Sequence, residues 1–565
     1  MKALILRGKA GNWITCLLCV GLLVLVSLVF FPLGFETNDD NGIISITSGA
    51  FTGSPYAGNG YTSYAYGALL VMLYSLWGGV PWHTLLQLLI VFFSLAVILK
   101  SILLTCRRYA VSSGFGIGVF LALYAGVFLQ YTVKLQYTTT AAFAATAGLC
   151  LVWMLEAETA GWRKAVSIFG AMILLSFSLG LRKESFWACM PLLAGFCVLR
   201  CIECRRLNAL WRCLMVLGGA LLFMAVDLQL YRAHEPNWDA FRVFYDLRCE
   251  LLDYNNTDLM EQTALQALGW PGSMVRMLRN WYMLDDHMNI ESLRALLEAV
   301  AQVKPKPTFL QLLKSVASIL RRYPIFAFNF MAAGFWGSWS VVRQIKAKKY
   351  ISIGYIAGTA IYLILFVGYF YGMRERLPER AAFAAACPCY VFFAFACIRQ
   401  WQTRESGHPA RQGLAICLAV MLLAGGGTLA AKGTGGFRWN ASPQPARQVS
   451  SEILRDYALA HPSLLYVTDV PQIYGALYTD PMDAPNLLSW GHPMYGSDVV
   501  RIKEQGNGFD GVDTAALFHD RVRLILSDAN MRMLLEYLES LYESFEMQQE
   551  DQVAGFSVYK LIRLP

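Results

Sequence analysis

The chain has 565 residues, of which 56% are hydrophobic and only 15% charged, with a mean hydropathy of +0.43. This composition excludes a soluble globular enzyme of such length and an intrinsically disordered chain, and indicates a polytopic helical membrane protein. The 47 Lys and Arg against 39 Asp and Glu are a modest excess, placed so as to orient helices rather than to bind nucleic acid.

Lys2, Arg7 and Lys9 put the amino terminus in the cytoplasm, so the first apolar segment, residues 12–35, is a retained helix that emerges on the outer side. Directly after it stands Glu36-Thr-Asn-Asp-Asp40, with three carboxylates at headgroup level. Ionisable groups at that depth are costly and point to function, although Asp is equally suited to cap a following helix. A turn-rich stretch to Tyr66 comes next. Residues 65–77 are apolar but fall short of the roughly 20 residues needed to cross, which predicts an interfacial or re-entrant helix ended by Gly78-Gly-Val-Pro81.

Further spans are expected near residues 82–104, 111–130, 137–155, 164–181, 185–201, 211–231, 323–342, 350–371, 382–398 and 412–430, about eleven in all. The inner loops then hold Arg107 and Arg108, Arg163 and Lys164, Arg205 and Arg206, Arg343 to Lys349, and Arg404 and Arg411, as the orientation rule requires. The expected organisation is a transmembrane domain over residues 1–431, with outer loops at 36–81 and 232–322, followed by an extracytoplasmic α/β domain over 432–565. In that domain residues 464–468, 522–526 and 556–562 read as strands, the first two leading into Asp469 and Asp528, with no phosphate-cradling glycine loop.

Basic residues on the outer side run against the orientation rule and so carry information. Arg182 and Lys183 lie in the tight turn between spans five and six; Arg374, Arg376 and Arg380 lie between spans nine and ten. Guanidinium forks suit a phosphate; the plainer reading is headgroup anchoring, or pairing with Glu184, Glu375 and Glu379. The outer turn Gln130 to Thr140 offers Lys134 and several hydroxyls, although Thr in a membrane helix commonly bonds its own backbone. In the large loop, Trp281 with Asp285 and Asp286 combines an aromatic platform with carboxylates, as sugar sites do; burial of the aromatic and capping of the next helix explain the same residues structurally. Asp227, near the outer end of span seven, is expected to pair with a basic neighbour such as Arg232.

Taken together, the acidic pair Asp39-Asp40 after span one, the short interfacial helix, Arg182-Lys-Glu at the end of span five and Arg376-Leu-Pro378 before a late span resemble the GT-C superfamily of membrane glycosyltransferases. That superfamily includes the protein O-mannosyltransferases and the lipid A aminoarabinose transferase. The loop from Asn38 to Pro55 is also similar to uncharacterised membrane proteins of bacterial surface-polysaccharide clusters. The resemblance implies sugar transfer from a polyprenyl-phosphate donor to a glycan, lipid or protein acceptor at the outer face. It implies Asp39 or Asp40 as the catalytic base, with Arg182, Lys183, Arg374, Arg376 and Arg380 holding the donor phosphate. Glu36, Trp281, Asp285 and Asp286 are the candidates for substrate contacts. No cofactor is required by this pattern, although a carboxylate pair admits a divalent cation. The chain departs from better-known members in the form of its acidic signature and in its carboxy-terminal domain. An O-antigen-type polymerase or ligase, and a non-catalytic component of polysaccharide assembly, remain as other readings; a transporter would call for inverted repeats that the sequence lacks.

Overall fold

The computed structural model describes residues 13–36, 39–154, 161–204, 207–254, 257–304, 350–369, 376–401, 446–470, 475–477 and 483–564, with a few positions between 308 and 318. The expected spans at 323–342 and 412–430, and Arg374, lie outside the described residues. The chain forms two compact units. One comprises residues 1–36, 83–226 and 307–441; the other comprises 37–82, 227–306 and 442–565.

The first unit is a helical membrane bundle. Seven described helices of the chain are long and apolar enough to cross a membrane, among them Trp13–Phe30, Trp82–Arg108, Ser113–Val133 and Tyr137–Met154. The last is the central one. Its apolar window is 94% buried, and it is built from small residues, Ala141, Ala142, Ala144, Ala145, Ala147 and Gly148, which let neighbouring backbones approach closely. A Cβ on Gly148 would meet the Leu175 side chain at 2.7 Å. Trp13–Phe30 instead presents Ile14, Leu18, Leu22 and Leu25 outward, as a lipid-facing helix must.

The apolar stretch Lys164–Leu199 has 36 residues, about 54 Å at 1.5 Å per residue and nearly twice the hydrocarbon thickness. It is interrupted at Arg182, whose backbone is extended (φ −156°, ψ 98°). Before the break Leu175 and Gly170 touch Gly148 and Leu151. After it Ser185 donates to the Thr138 carbonyl (2.9 Å), and Cys189 lies beside Thr146. The first arm therefore runs antiparallel to the central helix and the second parallel to it. This is a hairpin of two spans reversing at Arg182, as the charge pattern predicts. Ser113–Val133 carries a turn of π-helix at Tyr124–Phe128, after which Lys134–Leu135 (β2) pairs in parallel with Gly34–Phe35 (β1).

The second unit surrounds one large core to which all three of its segments contribute: Ile46 and Phe51 from the first, Phe241, Met274, Tyr282 and Leu293 from the second, Leu465, Leu524, Leu534 and Leu561 from the third. Residues 442–565 therefore share this core with both outer loops, in addition to a smaller cluster of their own. Their five-stranded sheet contains Leu465–Thr468 (β3), Leu487–Ser489 (β4), Val522–Ile525 (β5), Phe545–Val553 (β6) and Phe556–Arg563 (β7), in the order β4-β3-β5-β7-β6. β3 is parallel to β4 and β5, and β7 is antiparallel to β5 and β6. Alternation along the strands sends Leu465, Val467 and Leu524 into the large core. Tyr466, Ile525 and Val558 enter a smaller cluster on the other face, under helix Ala446–Ala460. The three strands expected from sequence are all present.

Candidate functional site

In the second unit, Asp39 and Asp40 open helix Asp39–Ser48, where the positive end of the helix dipole favours carboxylates. Asp40 is completely buried and Asp39 half-buried. The Tyr66 side chain, itself buried, lies near Asp40; burial first, and then the Asp40 charge, push its hydroxyl well above the usual tyrosine range, so it remains a proton donor. The helix needs Gly42, because a Cβ there would meet the Tyr61 ring at 3.0 Å. One turn on, Ser45 donates to Asp483 (2.6 Å). Asp483 also accepts from the Ala484 N–H (2.9 Å) and lies 3.5 Å from the fully buried Lys503 ammonium. Lys503 sits 3.9 Å over the Phe51 ring, and Phe51 packs on His492 with centroids 4.7 Å apart. Burial, with Lys503 and Arg248 adding to it, holds the His492 imidazole neutral, down to about 3.

The apolar helix expected at 65–77 is present as Tyr64–Leu76, capped by Ser63, which accepts from the Tyr66 N–H (3.1 Å). Asp227 accepts the Tyr64 N–H (2.8 Å). Arg232, the basic neighbour expected for Asp227, instead donates its Nε–H to both Asp239 oxygens, at 3.1 and 3.0 Å. Glu235 is buried under Gly58, against Tyr56 and Asp498. Desolvation and the Asp498 charge raise its carboxyl to about 8.

Trp281 and Asp285 also belong to this unit. Trp281 is half-buried and holds a left-handed backbone (φ +65°). The buried Asp285 carboxylate accepts from Tyr537, from Thr514 (3.3 Å) and from the His287 N–H (2.7 Å); Asp286 is exposed. The following helix, Ile290–Val303, is capped by Asn289 rather than by either Asp.

In the membrane unit, Glu36 is exposed and its N–H donates to the Leu135 carbonyl (2.9 Å). Nearby, Tyr131 donates to Glu379 (2.9 Å) and stacks on Phe383 with centroids 3.9 Å apart. The Glu36 charge also reaches the Tyr131 hydroxyl. A buried polar chain runs from Thr140 to Gln87 (2.9 Å) to His83 (2.9 Å). Arg182 donates to the Tyr137 hydroxyl (3.2 Å) and pairs with Glu184 (2.9 Å), Lys183 is exposed, and Arg376 and Arg380 are half-buried. Thr132 bonds back to the Phe128 carbonyl (2.9 Å), as the plainer reading of this turn has it. Among the described residues, no group of three or more His, Cys, Asp or Glu side chains gathers as a metal site.

The Tyr131–Glu379 bond and the His83–Gln87–Thr140 chain escape a sequence reading, since each joins distant segments; the local signal was Gln130-Tyr-Thr-Val-Lys134 itself. Arg248, buried in the second unit, gave no signal beyond its place in an amphipathic helix.

No protein-family model and no curated protein matches the chain. Two solved structures resemble it in fold, both of ArnT from Cupriavidus metallidurans. The one bound to undecaprenyl phosphate has 14% identity and a TM-score of 0.40, covering 97% of this chain and 98% of that one. The apo structure has 13% identity and a TM-score of 0.38, covering 98% of each.

Proposed function

We propose that the protein transfers a sugar from a polyprenyl-phosphate-linked donor to a cell-surface glycan, lipid or protein acceptor on the extracytoplasmic side of the membrane. The observation that carries this reading is Asp40: a completely buried carboxylate, at the start of a helix, in the segment that directly follows the first span. A buried carboxylate is kept against its desolvation cost, and such groups cluster where protons are moved. The unit that contains it also supports the reading. Its three segments are those that the charge rule puts outside.

In the proposed reaction the oxygen of an acceptor hydroxyl attacks the anomeric carbon while the bond from that carbon to the phosphate oxygen breaks. The hydroxyl proton passes to Asp39 or Asp40, and the bonding electrons leave with the phosphate. Arg182, Arg376 and Arg380, with Lys183 and Arg374, are the groups proposed to take up the phosphate charge.

The test is transfer from radiolabelled polyprenyl-phosphate sugars in proteoliposomes, comparing wild type with Asp39→Asn, Asp40→Asn and Arg376→Ala at matched folding. The expected result is turnover by wild type, loss of turnover with donor still bound in one Asp variant, and weaker donor binding in the Arg variant. Full activity in both Asp variants removes the catalytic role of this loop. Absence of transfer by wild type from any donor removes the transferase.

A further inference from the structure

Helix Trp238–Tyr254 carries Arg248, whose side chain is completely buried. Its guanidinium lies 5.6 Å from the Phe244 ring centroid, 5.2 Å from Tyr245 and 5.1 Å from Trp281. One nitrogen, Nη2, donates to the Pro493 carbonyl. Nε and Nη1 have no hydrogen-bond partner among the described residues. Aromatic faces offset part of the cost of burying a cation, but they do not accept along the in-plane edge where guanidinium N–H groups point. Burial lowers its pKa, and among the described residues the groups whose charge acts on it are Cys249, Tyr245 and Tyr61, none of them a carboxylate. The adjacent imidazole of His492 is neutral and brings no anion either.

The backbone of the residue beside it is held in an unusual conformation. Trp281 adopts φ +65°, a region that is strained for a bulky residue and that persists where the surrounding structure holds it. Gly491 leaves room for it: a Cβ on that glycine would lie 2.9 Å from the Trp281 Cβ and 3.1 Å from its carbonyl oxygen. Trp281, Tyr245 and Phe244 are half-buried, so the aromatic rim around Arg248 reaches solvent.

We infer that Arg248, ringed by Phe244, Tyr245 and Trp281, is a binding site for a sugar that carries an oxyanion. A carboxylate or phosphate oxygen accepts from Nη1 or from Nε, the two nitrogens that Pro493 leaves open, and the sugar ring packs on the aromatic rim. This assigns the protein a ligand of definite chemistry, an acidic or phosphorylated glycan. It rests on the transferase reading only in making that glycan the acceptor; the binding itself does not require transfer.

The experiment is calorimetric titration of the full-length protein in nanodiscs with trigalacturonate, glucose 6-phosphate and the neutral maltotriose. At least one anionic sugar is expected to bind about tenfold or more tighter than maltotriose, and Arg248→Lys, which keeps the charge but loses the planar set of N–H donors, to abolish that preference. Preference for trigalacturonate identifies a carboxylate ligand, and preference for glucose 6-phosphate a phosphate. Equal binding of all three sugars, or wild-type affinity in Arg248→Lys, overturns the site. Should that variant fail to fold, quenching of Trp emission by the anionic sugar in wild type, lost in Trp281→Phe, answers the same question, and quenching that survives Trp281→Phe overturns it. Anion binding without transfer from any polyprenyl-phosphate sugar would leave this site standing and remove the transferase alone.

Discussion

The Asp227 carboxylate accepts the backbone N–H of Tyr64 at 2.8 Å across 163 residues of sequence. Tyr64 begins the short apolar helix, and the first N–H groups of a helix have no intrahelical partner, so Asp227 joins Ser63 in supplying acceptors there. Asp227→Ala is expected to destabilise the protein by about 1 kcal/mol, and Asp227→Asn, which keeps an acceptor but loses the charge facing the dipole, by less. Thermal unfolding of both variants in one detergent checks this order; equal loss in both would assign the effect to charge rather than to capping.

Glu235 sets a pH dependence. Burial and the Asp498 charge raise its folded-state carboxyl from an ordinary 4.5 to about 8, so the folded protein holds a proton there that the unfolded chain releases. The associated stability is complete below about pH 4.5 and is lost as pH rises toward 8. The slope has an upper limit of about 1.4 kcal/mol per pH unit for a single proton. Glu235→Gln should flatten the unfolding midpoint over that window and lie above wild type at its alkaline end. A variant with the wild-type slope would show that Glu235 stays ionised throughout.

Lys503 and Asp483 form a buried pair, 3.5 Å apart, with Lys503 fully enclosed. Removing the cation alone leaves Asp483, among the described residues, with the Ser45 hydroxyl and the Ala484 N–H. Lys503→Met is expected to cost about 3–5 kcal/mol, and Lys503→Met with Asp483→Asn distinctly less than the sum of the single changes. Additive losses would mean that the two side chains do not act on one another.

The side of the membrane occupied by residues 442–565 is open to a direct chemical test. Glu539 is exposed at the end of helix Asp528–Glu539. Glu539→Cys in intact spheroplasts is expected to react with a membrane-impermeant maleimide. Labelling only after permeabilisation would place this segment inside and reverse the topology.

Much of the architecture is written in local pattern. Span lengths, the 13-residue helix Tyr64–Leu76, the reversal at Arg182 and the three strands β3, β5 and β7 follow from hydropathy period, punctuation by Gly and Pro, and the distribution of Lys and Arg. Pairings between distant segments are not so written. Asp227 finds Tyr64 rather than Arg232, and Asp285 is taken up by Tyr537, Thr514 and His287, because a carboxylate five residues from one partner and hundreds from another carries the same letter in either case. The candidate base was legible since it stands beside a membrane boundary, where a charge is conspicuous. Arg248 was not, because its helix has the ordinary amphipathic alternation of a soluble protein, and its burial depends on Trp281 and Pro493 arriving from elsewhere.

The interleaved core of the second unit bears on how the protein is made. Ile46 and Phe51 are synthesised within the first tenth of the chain, yet they share their core with Leu465, Leu524 and Leu561 from its last fifth. Until those last residues follow, the early segment has only Phe241, Met274, Tyr282, Leu293 and their neighbours from the middle segment to pack on, and part of the shared core stays uncovered and prone to wrong associations. Closure waits for β7, Phe556–Arg563. A chain that stops before β7 thus has its described membrane helices and a second unit that has yet to assemble. For this chain, maturation is a single late event rather than a gradual accumulation of domains.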